Sequence, residues 1–257
     1  MGSRRGGPGC WAFALWLGLA ASIGPGPEAS DAPLPEDDAT FRPTVMVHRG
    51  KGLGSGTIIA SDEGETLVLT ASHVLDEKGP VTIELFRFNV GAERVRGAVG
   101  YPRRVGATII ARDADADLAI LRVRGELAFP YVARVARGDL PPAPRAKVTT
   151  IGFDKGARPV GVSTRLRANE RIDLNKGGGP RLFLVTDDPP EVGRSGGGLF
   201  RADGALVGVC VGRVTLVEGK TFGLFSALEN VRELIRGDGQ VEALVARAGV
   251  KPRSPAR

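Results

Sequence analysis

Cysteine is nearly absent from this 257-residue chain, which carries only Cys10 and Cys210. A disulfide framework is thereby excluded, and the fold must rest on its core, which a hydrophobic content of 42% can supply. Long apolar runs are also lacking: the stretch 11–21 is too short to cross the ~30 Å hydrocarbon layer of a bilayer as a helix. The net charge is +6, but Lys and Arg are scattered, with neither a dense run nor interleaved aromatics. A nucleic-acid partner is therefore not expected. No internal repeat of about 20–50 residues is visible, and histidine is limited to His48 and His73.

What the chain does have begins with a leader. Arg4 and Arg5 precede the apolar stretch, and Ala20, Ala21 and Ser22 offer small residues for cleavage, so 1–23 reads as a signal peptide and the chain as exported, periplasmic or secreted. Cys10 lies before the apolar stretch, where a lipoprotein would need its cysteine after it. Loss of the leader removes two positive charges and no acid, and leaves Cys210 alone within the apolar run 206–211. There it is expected to act as a small buried hydrophobe. Residues 24–40, with Pro25, Pro27, Pro33 and Pro35 among acids and small residues, read as a flexible linker.

Glycine at 37 and proline at 18 imply many turns between short strands. Runs rich in β-branched residues fall at 44–48, 55–60, 66–70, 81–88, 107–111 and 118–123, enough to close one small barrel. After a break at Pro141, Pro142 and Pro144, a second series falls at 148–151, 160–167, 182–186, 199–200, 206–211 and 221–225. The reading is all-β: two six-stranded halves, 41–135 and 145–238. Leu228, Val231, Leu234 and Ile235 form one stripe of a closing helix ahead of Gly237, and a weaker helix and tail occupy 239–257.

Gly193-Arg194-Ser195-Gly196-Gly197 is the sharpest segment. A nucleophilic serine needs an exposed hydroxyl on a tight turn, backbone N–H groups aimed at a developing oxyanion, and no bulky neighbours. His73 follows the apolar strand around Leu67 and Leu69, where an imidazole is held rigidly enough to act as a general base. His48, beside Arg49 and Lys51, has no such context. Asp117 stands at the edge of the apolar strand 118–121, as an acid that fixes a histidine tautomer should, whereas Asp113 and Asp115 read as solvated loop acids. The alternating aspartates do not make a calcium loop, since Leu118 and Arg124 occupy the places of its obligatory Gly and Glu.

Taken in order, Gly54-Ser55-Gly56-Thr57, Thr70-Ala71-Ser72-His73, Asp117-Leu118-Ala119 and Gly193-x-Ser195-Gly196-Gly197 resemble the trypsin-like serine protease family, most closely its bacterial HtrA/Deg branch. The resemblance runs from about Thr44 to Ile235. It implies two perpendicular antiparallel β-barrels with a C-terminal helix and a cleft site holding His73 and Asp117 from the first barrel and Ser195 from the second. It further implies an oxyanion hole of the Gly193 and Ser195 N–H groups, and a substrate strand pairing along Cys210, Val211, Gly212 and Arg213. Pro189 stands at the place of the primary pocket's base residue, so an acid to attract Lys or Arg is missing there. The implied reaction is peptide-bond hydrolysis through an acyl-enzyme on polypeptide substrates, without metal or cofactor.

This sequence departs from the family beside the nucleophile. Arg194 replaces an Asn or Asp, and Gly198 replaces a Pro or Ala. With Arg194, and no activation sequence before Val45, activation by clipping is not expected. Arg194 is expected to restrict loop order and Gly198 to leave the oxyanion hole loosely formed, so a weak or silent peptide-binding module on the same fold is the alternative reading. The stretch after the closing helix leaves no room for the branch's usual PDZ domain, and a monomer is expected.

Overall fold

The computed structural model describes residues 37–62, 64–92, 100–125, 128–138, 141–155, 158–175, 178–215 and 219–250. The expected leader 1–23, and the expected linker up to residue 36, lie outside them. Asp37 closes a turn ahead of the first strand, its carboxylate accepting the backbone N–H groups of Ala39 and Thr40 at 2.8 and 2.6 Å.

Six strands, β1 (Thr44–Arg49), β2 (Gly52–Asp62), β3 (Gly64–Ala71), β4 (Val81–Leu85), β5 (Arg103–Asp113) and β6 (Leu118–Gly125), close a barrel in the order β1-β2-β3-β6-β5-β4. β7 (Arg134–Val135) then runs parallel to Ala205 and Leu206 of the second half. The remaining strands are β8 (Lys147–Phe153), β9 (Pro159–Ile172), β10 (Arg181–Thr186), β11 (Gly198–Arg201), β12 (Ala205–Thr215) and β13 (Thr221–Ala227). They follow the order β11-β8-β9-β10-β13-β12, and β11 pairs with β12 to close a second six-stranded antiparallel barrel. The all-β two-barrel expectation holds, with α1 (Leu228–Arg236) and α2 (Gly239–Val250) at the C-terminal end.

The continuous apolar run in β3 has a direct cause. Val68 points into the first barrel with Val45, Val47, Ile83 and Leu121. Leu67 and Leu69 point outward into a cluster shared with Ile151, Phe200 and Val209 of the second barrel and Val231 of α1. A strand buried on both faces shows no polar alternation. Each fully buried Leu or Ile in this joint contributes on the order of 1.5–3 kcal/mol, so the two barrels are joined along the outer wall of β3. Val241 and Leu244 of α2 join the same cluster, making the second helix a strap across the joint.

The fourth run ends earlier than its composition suggests. β4 stops at Leu85, and Arg87–Val90 forms a 3-10 turn. The buried Asn89 side chain accepts the Phe86 N–H at 2.7 Å and donates to the Arg42 and Thr44 carbonyls at 2.7 and 2.8 Å, drawing the backbone out of the ladder.

Candidate active site

His73 begins a single 3-10 turn, His73–Leu75, immediately beyond the end of β3. Asp117 holds it at three points. Its carbonyl accepts the Ser72 N–H at 3.1 Å, its Oδ1 accepts the His73 backbone N–H at 2.9 Å, and its Oδ2 lies 2.7 Å from the ring Nδ1. A carboxylate can only accept, so Nδ1 carries the proton and Nε2 keeps its lone pair. Asp117 is buried at 6% exposure. Its backbone is left-handed, with φ of 52°. The turn that sets this conformation is built by Asp113, whose Oδ1 accepts the N–H groups of Asp115 and Ala116, each at 2.9 Å. Arg181 reaches its other oxygen at 3.3 Å from the second barrel. Asp113 is thus a structural element of the site rather than a solvated loop acid.

The His73 imidazole is held above its ordinary pKa. Burial is the largest single influence and pushes it down, but the hydrogen bond and charge of Asp117, with the charge of Asp76, together outweigh it. His48 is bound elsewhere, 2.8 Å from Glu84 on β4, and is shifted down by burial and by Arg104.

Ser195 arrives from the opposite barrel, and contacts on both sides set its turn against residues of the first barrel near His73 in sequence. Its carbonyl accepts the Ser55 N–H at 2.7 Å. A Cβ on Gly54 would meet that carbonyl at 2.8 Å and the Val74 side chain at 2.6 Å. A Cβ on Gly196 would lie 2.4 Å from Thr70 Oγ1 and 2.9 Å from the Ala71 nitrogen. Gly196 also has φ of +85°, so both space and conformation demand glycine there. The segment carrying Ser195 is therefore wedged between residues that flank His73 in sequence. The Ser195 hydroxyl itself donates to the Val211 carbonyl at 3.3 Å.

The turn is tied down throughout. Arg194 N–H donates to the Glu191 carbonyl at 3.2 Å, Gly197 N–H to the Arg194 carbonyl at 2.8 Å, and Gly196 N–H to the Cys210 carbonyl at 2.8 Å. The Val192 carbonyl is taken by the Lys155 N–H at 3.0 Å. Among the described residues, the N–H groups of Gly193 and Ser195 have no hydrogen-bond acceptor. These are the two groups expected to form an oxyanion hole.

Of the expected substrate-side residues, Cys210 is differently placed. It is fully buried, its thiol is pushed up to about 12 by burial, and its N–H and carbonyl are taken by Gly197 and Gly196 at 2.8 Å each. The register between β12 and β13 shifts across Val211, while Gly212 and Arg213 stay paired with Leu224 and Gly223; on the other edge of β12, the β11 pairing ends at Val209. Arg213 folds across toward the neighbouring loop, donating to the Pro190 carbonyl at 2.6 Å and lying 3.1 Å from Glu191. Pro189 is exposed and Pro190 buried.

Two residues were not legible as site residues. Ser55 bridges the barrels through its hydroxyl, and Asp154 binds the Arg194 guanidinium. A lone arginine in a turn of glycine and serine calls for an acid somewhere, and that is the available signal for Asp154. Among the described residues, no group of three or more His, Cys, Asp or Glu is placed to hold a metal ion. Among the described residues, no helix is long and apolar enough to cross a membrane.

Comparison with known proteins gives the family and the fold. Residues 54–209 match the family described as trypsin-like peptidase domain. The putative protease Do-like 14 of Arabidopsis thaliana is 25% identical over 213 residues, covering 76% of this chain and 44% of its own length. The periplasmic pH-dependent serine endoprotease DegQ of Escherichia coli is 29% identical over 164 residues, covering 62% of this chain and 31% of its own length. This chain thus spans less than half the length of either relative. Among solved structures, the HtrA-type protease AlgW with tripeptide superposes with a TM-score of 0.58 at 23% identity, covering 77% of this chain and 60% of its own.

Proposed function

The chain belongs to the trypsin-like peptidase domain family, and on that premise we propose that it is a serine endopeptidase that cleaves polypeptides through an acyl-enzyme. The observation that carries this reading is the three-point grip of Asp117 on Ser72 and His73, which leaves the ring proton on Nδ1 and Nε2 free to accept one. Ser195 attacks the peptide carbonyl while His73 Nε2 takes the hydroxyl proton. The oxyanion gathers the unclaimed N–H groups of Gly193 and Ser195, and His73 then hands its proton to the leaving amine. Water, deprotonated by the same nitrogen, attacks the acyl carbonyl, and His73 passes that proton to Ser195 Oγ as the ester bond breaks. The substrate backbone lies along Val211, Gly212 and Arg213, and the leader delivers the enzyme to the periplasm or the cell exterior. No step draws on a metal or cofactor.

One observation favours a second reading, a silent peptide-binding module: the Ser195 hydroxyl bonds to Val211 rather than to the imidazole. In the enzymatic reading this is a resting rotamer, and one χ1 rotation redirects the hydroxyl. The two readings separate on a fluorophosphonate probe with the leaderless chain. Labelling of wild type, and none of Ser195→Ala or His73→Ala, is the expected outcome. A folded wild type that takes no label and hydrolyses no unfolded casein, yet binds peptide, would establish the silent module.

A further inference from the structure

Arg194 is the largest fully buried side chain, at 1% exposure. Its guanidinium forks onto the Asp154 carboxylate, Nε to Oδ1 at 2.8 Å with a second contact from Nη2 to Oδ2. A buried cation is retained only where an anion and directed hydrogen bonds meet it, and such a pair is weak evidence for stability on its own. Its position suggests another use. Arg194 immediately precedes the proposed nucleophile, and Asp154 follows β8 at the start of a turn whose next residue, Lys155, has φ of 51°.

We infer that the Arg194–Asp154 pair is a built-in positioning device that holds the proposed oxyanion hole in its working orientation. The chain of contacts is short. The pair fixes Asp154 against the serine turn, and the adjoining Lys155 N–H takes the Val192 carbonyl at 3.0 Å. In a planar trans peptide the carbonyl of one residue and the N–H of the next point in opposite directions. Pinning Val192 C=O against Lys155 therefore turns the Gly193 N–H the other way, toward the cleft. Gly193, at φ +97°, has no side chain to resist rotation of that peptide, and a Cβ there would strike the Phe153 carbonyl at 2.6 Å. The restraint must come from outside the glycine, and Arg194 with Asp154 supplies it from within the chain. Arg194 thus acts through the peptide it orients and touches no reacting atom.

This inference rests on the proposed function for its kinetic test but not for its structural one. In Arg194→Met, fluorophosphonate acylation and kcat on a peptide substrate should fall by about 10²–10³, the range for losing one oxyanion donor, with KM changed less than roughly threefold. Arg194→Lys, which keeps the charge without the fork, should recover part of the loss. Acylation of folded Arg194→Met within about threefold of wild type would overturn the inference. The crystal structure of Arg194→Met is the second readout: the Val192 carbonyl should have left Lys155, and finding it still bonded there would overturn the inference even if the wild type proves inactive. If Arg194→Met does not fold, both readings are taken on Asp154→Asn.

Discussion

The Ser55 hydroxyl donates to the Gly193 carbonyl at 2.8 Å, so a side chain of the first barrel is bound to the serine turn of the second. The same oxygen accepts the Phe153 N–H at 2.8 Å, and Ser55 is fully buried. Ser55→Ala would leave one buried donor and one buried acceptor without partners. The expected loss is about 1–3 kcal/mol in denaturant unfolding. Because one freed group belongs to Gly193, kcat should fall more than KM rises. Equal stability of mutant and wild type would show that the bridge is not formed in solution.

Asp117→Asn tests the carboxylate. Asp117 accepts two N–H groups of His73, one through each oxygen. Asparagine has a single acceptor oxygen, so it must surrender one of them. If its NH₂ faces the ring, Nδ1 becomes the acceptor and the proton moves to Nε2, which can no longer take one from Ser195. The fold should persist while turnover drops by up to ~10⁴-fold, as a wrong tautomer does elsewhere. Turnover close to wild type would remove Asp117 from the reaction.

The pH profile follows from the same contact. His73 must be neutral to act as a base, and its pKa is raised above the ordinary 6.5 by the hydrogen bond and charge of Asp117 in spite of burial. The acid limb of kcat/KM should therefore have its midpoint above 6.5, rising as pH increases. Removing the Asp117 charge should shift that midpoint downward. The stability linkage has the opposite sense: the charged ring is favoured in the folded state, so its contribution is complete below the unfolded pKa and is lost as pH rises through the folded value. A midpoint below 6.5 in the wild type would mean that burial outweighs the pull of Asp117 on the ring.

Much of this architecture was legible because it is local. The twelve strand runs announce themselves by β-branched composition and glycine or proline punctuation, and the doubly buried β3 reads as a continuous apolar run for a physical reason. His73 and Asp117 flank strand ends and Ser195 lies on the turn ahead of β11, each within a short sequence pattern readable without the fold. What escaped depends on register between distant strands. Asp154 meets Arg194 only because β8 pairs with β11 so that Ile151 faces Gly198. Cys210 has both its backbone groups taken by Gly196 and Gly197, which no pattern around it announces. No local pattern at either position carries that information.

Gly198 belongs to the same class and yields the most direct packing test. Sequence suggests that its freedom loosens the serine turn, yet it lies inside β11, paired with Ile151 and Val209. A Cβ there would meet the Phe200 ring at 2.4 Å and Leu206 Cδ1 at 2.9 Å. The glycine is therefore the complement of a large neighbour: Phe200 fills the volume that a side chain at 198 would occupy, and at 1% exposure it has nowhere else to go. Gly198→Ala should destabilise by about 1–3 kcal/mol through overpacking, and Phe200→Leu alone should also destabilise, by leaving a gap. In the double variant each change relieves the other, so its loss should be smaller than the sum by 0.5 kcal/mol or more, roughly the threshold of real coupling between contacting residues. Strict additivity in that cycle would mean that Gly198 is required by the mobility of the turn after all and not by the ring beside it.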